Sequence, residues 1–492
     1  MVDVILIQPK IGVWDEMRSS ASLPLSLLYT STLIKEEFEI ELIDQRVDKN
    51  WKNRLIKLLK TKPLCVGITS LIGDQILKSI CISKIVKENS NIPVVWGGVH
   101  PSLIPEITIK NPYIDIVVIG EGEKTFHDLL IHLRDSLPLS EVKGIIFKTE
   151  DKSGKTKIIE NKKRKLIDLE NLPPLPYDLL DITKYLPKYQ NIPTVYIMSS
   201  RGCVHNCGYC YNQYFNRKKW RSITPEKVIE KIRFLHNKFD IKAFYFVDDN
   251  FLVDVNRGLK IASLIRDLPF KISWQIQGIT ANSFLKLSFA DLKLLEQSGL
   301  KRVSIGAETG SNRILKEINK CSTIAQVIKL NKILSKYNII VYYSFICGFP
   351  GERLTDLKKT IALAFHIIRD NPNARTSPFY IYSPFPKTPF YEKAVDMGFK
   401  PPQKLQGWAR FDHNRLNLNL FSKKYQKILR GVNFVSLFID KKFNEYTIPT
   451  ILRIMTSLYR PIARFRIKHL IFSFLLERWA LNLLLRALGT RL

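Results

Sequence analysis

Thr194-Val195-Tyr196-Ile197-Met198-Ser199-Ser200-Arg201-Gly202-Cys203-Val204-His205-Asn206-Cys207-Gly208-Tyr209-Cys210 is the stretch from which the rest of the chain is read. Residues 194–198 are apolar, short and β-branched, which is the pattern of a buried strand. Three cysteines follow at once with the spacing C-x3-C-x2-C. The same alternation of strand and helix runs to about residue 398, with strand candidates at 194–198, 243–247, 272–276, 302–305, 341–345 and 379–382. Helical patterns such as 225–238 and 289–298 separate them. Six β/α units predict a partial (β/α)6 TIM-like barrel, not a closed eightfold one, with functional residues at the C-terminal ends of its strands. Three thiolates in one tight loop at such a place suit metal chemistry. They can hold three irons of a [4Fe–4S] cluster, and with no fourth cysteine nearby in the sequence one iron lacks a protein ligand. A tetrahedral zinc site with His205 as fourth ligand is the alternative. It requires the loop to reverse, because His205 lies between two of the cysteines.

Working towards the N-terminus, residues 1–140 show a second α/β series. Strand candidates fall at 4–7, 40–43, 65–68, 94–96 and 116–119, with helical patterns such as 25–37 and 74–88 between them. Alternation of this kind implies a parallel, doubly wound, flavodoxin-like (Rossmann-like) sheet whose ligands sit beyond the carboxyl ends of the strands. Those ends carry Gln8-Pro9, Thr69-Ser70, Gly97-Gly98-Val99-His100 and Gly120-Glu121-Gly122-Glu123. Glycines there either let backbone approach a ligand or serve only as turns. Residues 143–166 read as a polar hairpin turning at Ser153-Gly154, followed by the basic run Lys162, Lys163, Arg164 and Lys165, read as a solvated edge. Pro173, Pro174 and Pro176 mark a linker. The expected division is 1–140, a hairpin and linker at 141–190, the barrel at 191–400 and a mostly helical basic region at 401–492.

The chain has 492 residues, 45% apolar and 25% charged, which excludes disordered, collagen-like and low-complexity classes. Lys plus Arg number 76 and Asp plus Glu 45, a formal charge of +31 that favours an anionic partner without choosing one. Region 401–492 holds seventeen of the basic residues and four of the acidic ones. Its stretches 470–476 and 479–488 are apolar and helical in pattern. Arg478, Asn482 and Arg486 share one stripe there, and Ser473 and Glu477 another. Docking against the barrel and peripheral membrane contact are the two readings of this tail. Seven cysteines are an odd number for a disulfide framework and fit a reducing, cytoplasmic setting. The opening residues 1–9 read as a strand, not a signal peptide, and no uncharged apolar run reaches the ~18 residues of a membrane span.

The cysteine loop, with an aromatic before its last Cys, resembles the radical S-adenosylmethionine (SAM) superfamily. The resemblance implies that Cys203, Cys207 and Cys210 bind the cluster, that the open iron chelates SAM, and that one electron cleaves SAM to a 5′-deoxyadenosyl radical. It places Tyr209 beside the adenine. Phe246-Val247-Asp248-Asp249-Asn250-Phe251 is similar to the segment holding the SAM amino group, which makes Asp248 and Asp249 SAM contacts. Ser304-Ile305-Gly306-Ala307-Glu308-Thr309-Gly310-Ser311 is similar to the family's G-x-E-x-G segment, so Gly306 and Glu308 join them. Phe345-Ile346-Cys347-Gly348-Phe349-Pro350-Gly351-Glu352 resembles the fifth-strand G-F-P-G-E turn. Ser383-Pro384-Phe385-Pro386-Lys387-Thr388-Pro389 resembles a later Pro-Gly-Thr-Pro turn, with Lys387 in place of Gly. Relatives often carry an Arg a few residues after the strand at Trp274-Gln275-Ile276-Gln277; none follows here before Lys286.

The N-terminal half resembles the cobalamin-binding branch of that superfamily, through G-G-x-H-P at residues 97–101 and G-E-G-E at 120–123. Ser70, Gly97, Gly98, His100, Gly120 and Glu121 are the implied cobalamin contacts. The usual D-x-H-x-x-G stretch reads Asp44-Gln45-Arg46-Val47-Asp48-Lys49, without the axial His, which fits the branch whose cobalt has no lower His. The resemblance implies a cobalamin-dependent radical SAM methyltransferase. Its rivals are an oxidative cyclase like the anaerobic magnesium-protoporphyrin ester cyclases, a tRNA-modifying radical SAM enzyme, and an iron–sulfur redox sensor. A small-molecule substrate and a reductant such as flavodoxin or ferredoxin go with it, and the basic, apolar tail motivates a lipid-like or anionic substrate near a membrane. No small RNA-binding barrel at the tail and no second cluster motif argue for a nucleic-acid partner.

Overall fold

The computed structural model describes residues 2–12, 15, 20–411, 420–445 and 450–472. The chain forms two compact units, Met1–Leu186 with Pro401–Asp412, and Pro187–Lys400 with His413–Leu492.

The first unit is built on a seven-stranded sheet of β1 (Val4–Gln8), β2 (Ile40–Asp44), β3 (Cys65–Thr69), β4 (Val94–Gly97), β5 (Ile116–Val118), β6 (Ile145–Glu150) and β7 (Thr156–Glu160), in the order β2-β1-β3-β4-β5-β6-β7. Pairing is parallel up to β5 and antiparallel from β5 to β7. All five residues of β1 are buried, as a strand covered on both faces must be. The order reverses between β1 and β3, the topological position at which such sheets take ligands. The hairpin β6–β7 turns at Asp151, whose carboxylate accepts from Ser153 N and Lys155 N at 2.9 and 3.0 Å. The basic run after it is exposed at Lys162, Lys163 and Lys165. Arg164 differs: it donates to Thr125 Oγ1 (2.8 Å) and pairs with Asp128 (2.6 Å). The helix expected at 25–37 closes at Ser31. The hydroxyls of Thr30, Ser31 and Thr32 bond to the carbonyls of Ser26, Leu27 and Tyr29, and turns replace further helix. Residues 401–411 belong to this unit, with Trp408 fully buried and its Nε1 donating to Pro402 O at 3.1 Å.

The second unit contains β8 (Lys188–Tyr189), β9 (Ile192–Ile197), a short antiparallel pair β10 (Ser200–Arg201) and β11 (Arg221–Ser222), then β12 (Ala243–Phe246), β13 (Ser273–Ile279), β14 (Leu300–Glu308), β15 (Ile340–Cys347) and β16 (Ala374–Ile381). The main sheet runs β16-β15-β14-β13-β12-β9-β8. Six of its strands are parallel, and it curls as an open half-barrel with β8 antiparallel at one edge. The helix Pro225–Phe239 starts with Thr224 as N-cap and Pro225 in its first turn, the expected start signals. Strand β16 begins at Ala374, earlier than its apolar pattern indicates, because Pro378 interrupts that pattern. Phe345 N instead donates to Ser377 Oγ at 2.9 Å. The outer edge of β16 is covered by the tail. Phe379 N donates to Ser436 Oγ (2.8 Å), and Thr376 N and Oγ1 donate to Asp440 (2.7 and 2.8 Å). The helix Thr450–His469 follows, held where Arg460 and Arg464 donate to the carbonyls of Asp440 (3.0 Å) and Ile439 (2.8 Å). The described tail therefore docks on the barrel. Leu470 leaves that helix with φ +56°, and the remaining apolar stretches, with Ser473, Glu477, Arg478, Asn482 and Arg486, lie outside the described residues. Among the described residues no helix is long and apolar enough to cross a membrane.

Ile5 is fully buried in β1, whereas Leu137 is 45% exposed. Ile5→Ala should cost the first unit about 2–5 kcal/mol, and Leu137→Ala less than about 0.5 kcal/mol, measured by denaturant unfolding.

Candidate active site

In the second unit the cysteine loop leaves β9 and returns through β11, so the β10–β11 pair closes it at its base. Its first turn is fixed from below. Asp248, at the end of β12 and 1% exposed, accepts from Ser199 N (2.8 Å), Ser199 Oγ (2.6 Å) and Ser200 Oγ (2.5 Å). Burial raises the Asp248 carboxyl above the usual range and the serine donors pull the other way. Arg257 NH2 donates to Ser199 O at 2.9 Å. Asp249 is exposed and accepts from Gly202 N at 2.8 Å. Gly202 has φ +90°, and a Cβ there would overlap the Lys219 carbonyl oxygen, so only glycine fits.

The loop is also stitched along its length. Gly208 N donates to Ile318 O (2.8 Å), Phe390 N to Gly208 O (3.0 Å), and Asn319 Nδ2 to Asn206 O (3.0 Å). Cys203, Cys207 and Cys210 are each half-buried, and none is in a disulfide. Asn250, 1% exposed, donates to Cys203 Sγ at 3.7 Å, and its own Oδ1 is buried without a hydrogen-bond partner. Burial pushes the Cys207 thiol up to about 11 and Cys210 to about 12, so these thiols ionise only against a cation such as iron. Among the described residues no three His, Cys, Asp or Glu side chains gather round one metal ion. A zinc site of three cysteines and His205 is therefore not preformed. A cluster, in which each thiolate takes a different iron, does not need that convergence.

Beside the loop, Glu308 closes β14 with φ +61° and pairs with Lys320 at 2.6 Å, both side chains 7% exposed. Lys320 Nζ is 3.5 Å from Tyr209 OH. Burial opposes the Lys320 charge, but Glu308 and Cys207 outweigh it and hold the ammonium above its ordinary value. A Cβ on Gly306 would meet Lys320 Nζ at 2.7 Å and overlap Glu308 Oε1, so Gly306 makes room for this ion pair. Tyr209 meets Phe349 edge-on at 5.7 Å. The turn after β15 is closed by Gly348 N donating to Glu352 Oε2 at 2.5 Å. Lys387, which stands where the resembling turn has Gly, has φ +66°, so the left-handed backbone is kept by a lysine.

In the first unit, the ends of β3, β4 and β5 bring the other predicted residues together. Ser70 N donates to Gly97 O (2.9 Å), His100 N to Ser70 O (3.2 Å), and Ser102 Oγ to Gly98 O (2.6 Å). Gly120 N donates to Ser102 Oγ at 2.9 Å. Gly98 has φ +104°, and a Cβ there would press within 2.8 Å of Ser70 O. Glu121 differs in direction, accepting from Ile167 N at 2.9 Å. His100 is 1% exposed, its Nε2 is buried without a hydrogen-bond partner, and burial pushes its pKa down to about 3. Its ring lies 6.2 Å from Trp408. Arg46, at the axial-His position, is turned into an ion pair with Asp44 at 2.7 Å. The named donors at these strand ends are bonded to one another, and His100 Nε2 is the polar atom among them left buried without a partner.

Lys320 and Trp408 were not legible as site residues. Lys320 is twelve residues from its partner with no local pattern, and Trp408 reaches its unit from the far side of the barrel in sequence. Ser199 and Ser200 were within reach, because they flank the cysteine motif.

Comparison with known proteins agrees with this reading. The family model for the radical SAM superfamily matches residues 197–364, and that for the B12 binding domain matches residues 20–130. The chain is 31% identical over 423 residues to an uncharacterized methyltransferase of Pyrococcus horikoshii, covering 85% of this chain and 88% of that one. It is 29% identical over 267 residues to the anaerobic magnesium-protoporphyrin IX monomethyl ester cyclase of Synechocystis, covering 54% and 52%. The cobalamin-dependent SAM radical enzyme OxsB, solved with aqua-cobalamin and SAM bound, has the same fold, with TM-score 0.73, 21% identity, and coverage of 99% and 76%. The chain thus belongs to the radical SAM superfamily, in the branch with a B12-binding domain, and is an enzyme whose cofactors are a [4Fe–4S] cluster, SAM and cobalamin.

Proposed function

We propose that this enzyme transfers a methyl group to an unactivated position of a small-molecule substrate. The observation that carries the reading is the glycine-gated loop of Cys203, Cys207 and Cys210 at the C-terminal ends of a parallel half-barrel, in a chain that resembles a methyltransferase over most of its length. When bound, the cluster and SAM supply radical chemistry and cobalamin supplies a methyl carrier. Cys203, Cys207 and Cys210 hold the cluster. Asp249, exposed at the loop's base, is the carboxylate available to the SAM ammonium, while Asp248 is taken up in orienting the loop. Tyr209, backed by Phe349, offers a ring face for the adenine. Glu308 and Lys320 present a fixed, neutral pair to the polar end of SAM, with Gly306 leaving the space they need. In the first unit Ser70, Gly97, Gly98, His100, Gly120 and Glu121 hold cobalamin, His100 as a neutral imidazole. A flavodoxin or ferredoxin is the class of reductant.

The test is anaerobic reconstitution with iron, sulfide and cobalamin, followed by incubation with SAM and a reductant. The expected products are 5′-deoxyadenosine and S-adenosylhomocysteine, both falling to the enzyme-free level in Cys203→Ala, Cys207→Ala and Cys210→Ala. 5′-Deoxyadenosine without S-adenosylhomocysteine contradicts methyl transfer and favours cyclase-type chemistry.

The His100 imidazole gives a pH test. It titrates near 3 when folded and near about 6.5 when unfolded. Below about pH 6.5 the unfolded chain takes up a proton that the folded unit refuses, so stability falls as pH drops towards about 3. The melting temperature of His100→Gln should therefore fall less than that of the wild type between about pH 7 and pH 5. Parallel pH profiles contradict a buried neutral imidazole.

A further inference from the structure

The helix Thr450–His469 lies outside the residues matched by either family model. It is seated by one face: Thr456, Ala463 and Ile467 are buried, and Arg460 and Arg464 donate to carbonyls beneath it. Phe472, 5% exposed, anchors its end against Gly431, where a Cβ would overlap the ring. The opposite face carries Ile451 (55% exposed), Ile454 (51%), Met455 (39%), Leu458 (73%), Ile462 (54%) and Phe465 (57%). They fall at i, i+3, i+4, i+7, i+11 and i+14, one continuous apolar stripe. A stripe of this length left in water costs free energy that a stable fold does not ordinarily carry without a use.

The charges of the helix identify what covers it. It holds Arg453, Arg460, Arg464, Arg466 and Lys468, and no Asp or Glu. Arg460 and Arg464 are spent on the seated face, so a second copy of the exposed face would bring Arg466 and Lys468 and no anion to pair with them, and charge does not favour self-association through this stripe. Residues 473–492 carry Arg478, Arg486 and Arg491 against Glu477 alone and do not balance it either. An apolar face flanked by Arg466 and Lys468, on a helix with no acidic residue, is complementary to a layer with an apolar interior and anionic headgroups. We propose that Thr450–His469 is a membrane-surface helix that lies on an anionic lipid bilayer with Leu458 and Phe465 at the centre of its contact. The proposed contact is interfacial, and among the described residues no helix is long and apolar enough to cross a membrane.

Sedimentation of the full-length protein with phosphatidylcholine vesicles, with and without phosphatidylglycerol, tests this. The expected result is at least about tenfold stronger partitioning onto the anionic vesicles, weakened by added salt. A double variant, Leu458→Glu with Phe465→Glu, should lose partitioning at least about tenfold while keeping its circular dichroism and iron content, because both positions are exposed. No binding to anionic vesicles, or equal binding by the variant, overturns the proposal. A wild-type dimer that the variant dissolves, without vesicle binding, assigns the face to a second copy and overturns it too.

Discussion

A buried carboxylate decides where the chemistry of this protein sits. Asp248 is removed from water at the end of a barrel strand, and a lone carboxylate there would be costly. Three donors from Ser199 and Ser200 offset that cost, and in doing so they fix the path of the chain as it leaves the neighbouring strand. The next residues have little choice. Asp249 catches Gly202, the left-handed glycine turns the chain under Lys219, and the cysteines follow on a loop tied down at both ends. Under the proposed function such preorganisation would let three thiolates meet a cluster without being pulled into place by it.

Charge around the loop is balanced in the same economical way. Glu308 and Lys320 neutralise each other across the space that Gly306 leaves free. The lysine stands beside Tyr209 and lowers the cost of ionising Cys207. The first unit uses burial instead of pairing: removal from water disfavours the charged form of His100. One unit therefore holds a buried ion pair beside its cysteine loop, and the other an uncharged imidazole at its strand ends.

Local features were the legible ones. The strands could be read because each is a short β-branched run, and the cysteine loop because its ligands are neighbours in the chain. Boundaries slipped where a side chain competes with the main chain, as with the hydroxyls at Thr30, Ser31 and Thr32, or where Pro378 breaks the pattern of a strand that continues through it. Motif position carries no information about direction. Asp248 and Asp249 look equivalent in sequence, yet one faces the serines beneath the loop and the other is exposed. Lys320, Trp408 and the exposed stripe of Thr450–His469 depend on what packs against what, and no local pattern carries that.

The central claim is that the three cysteines hold a cluster with one iron left for SAM. Mössbauer spectroscopy of protein reconstituted anaerobically with iron-57 addresses it most directly. The expected result is a four-iron cluster in which a single iron changes its isomer shift and splitting when SAM is added, while the other three stay as they were. A mononuclear metal centre, or a cluster whose spectrum ignores SAM, would contradict it.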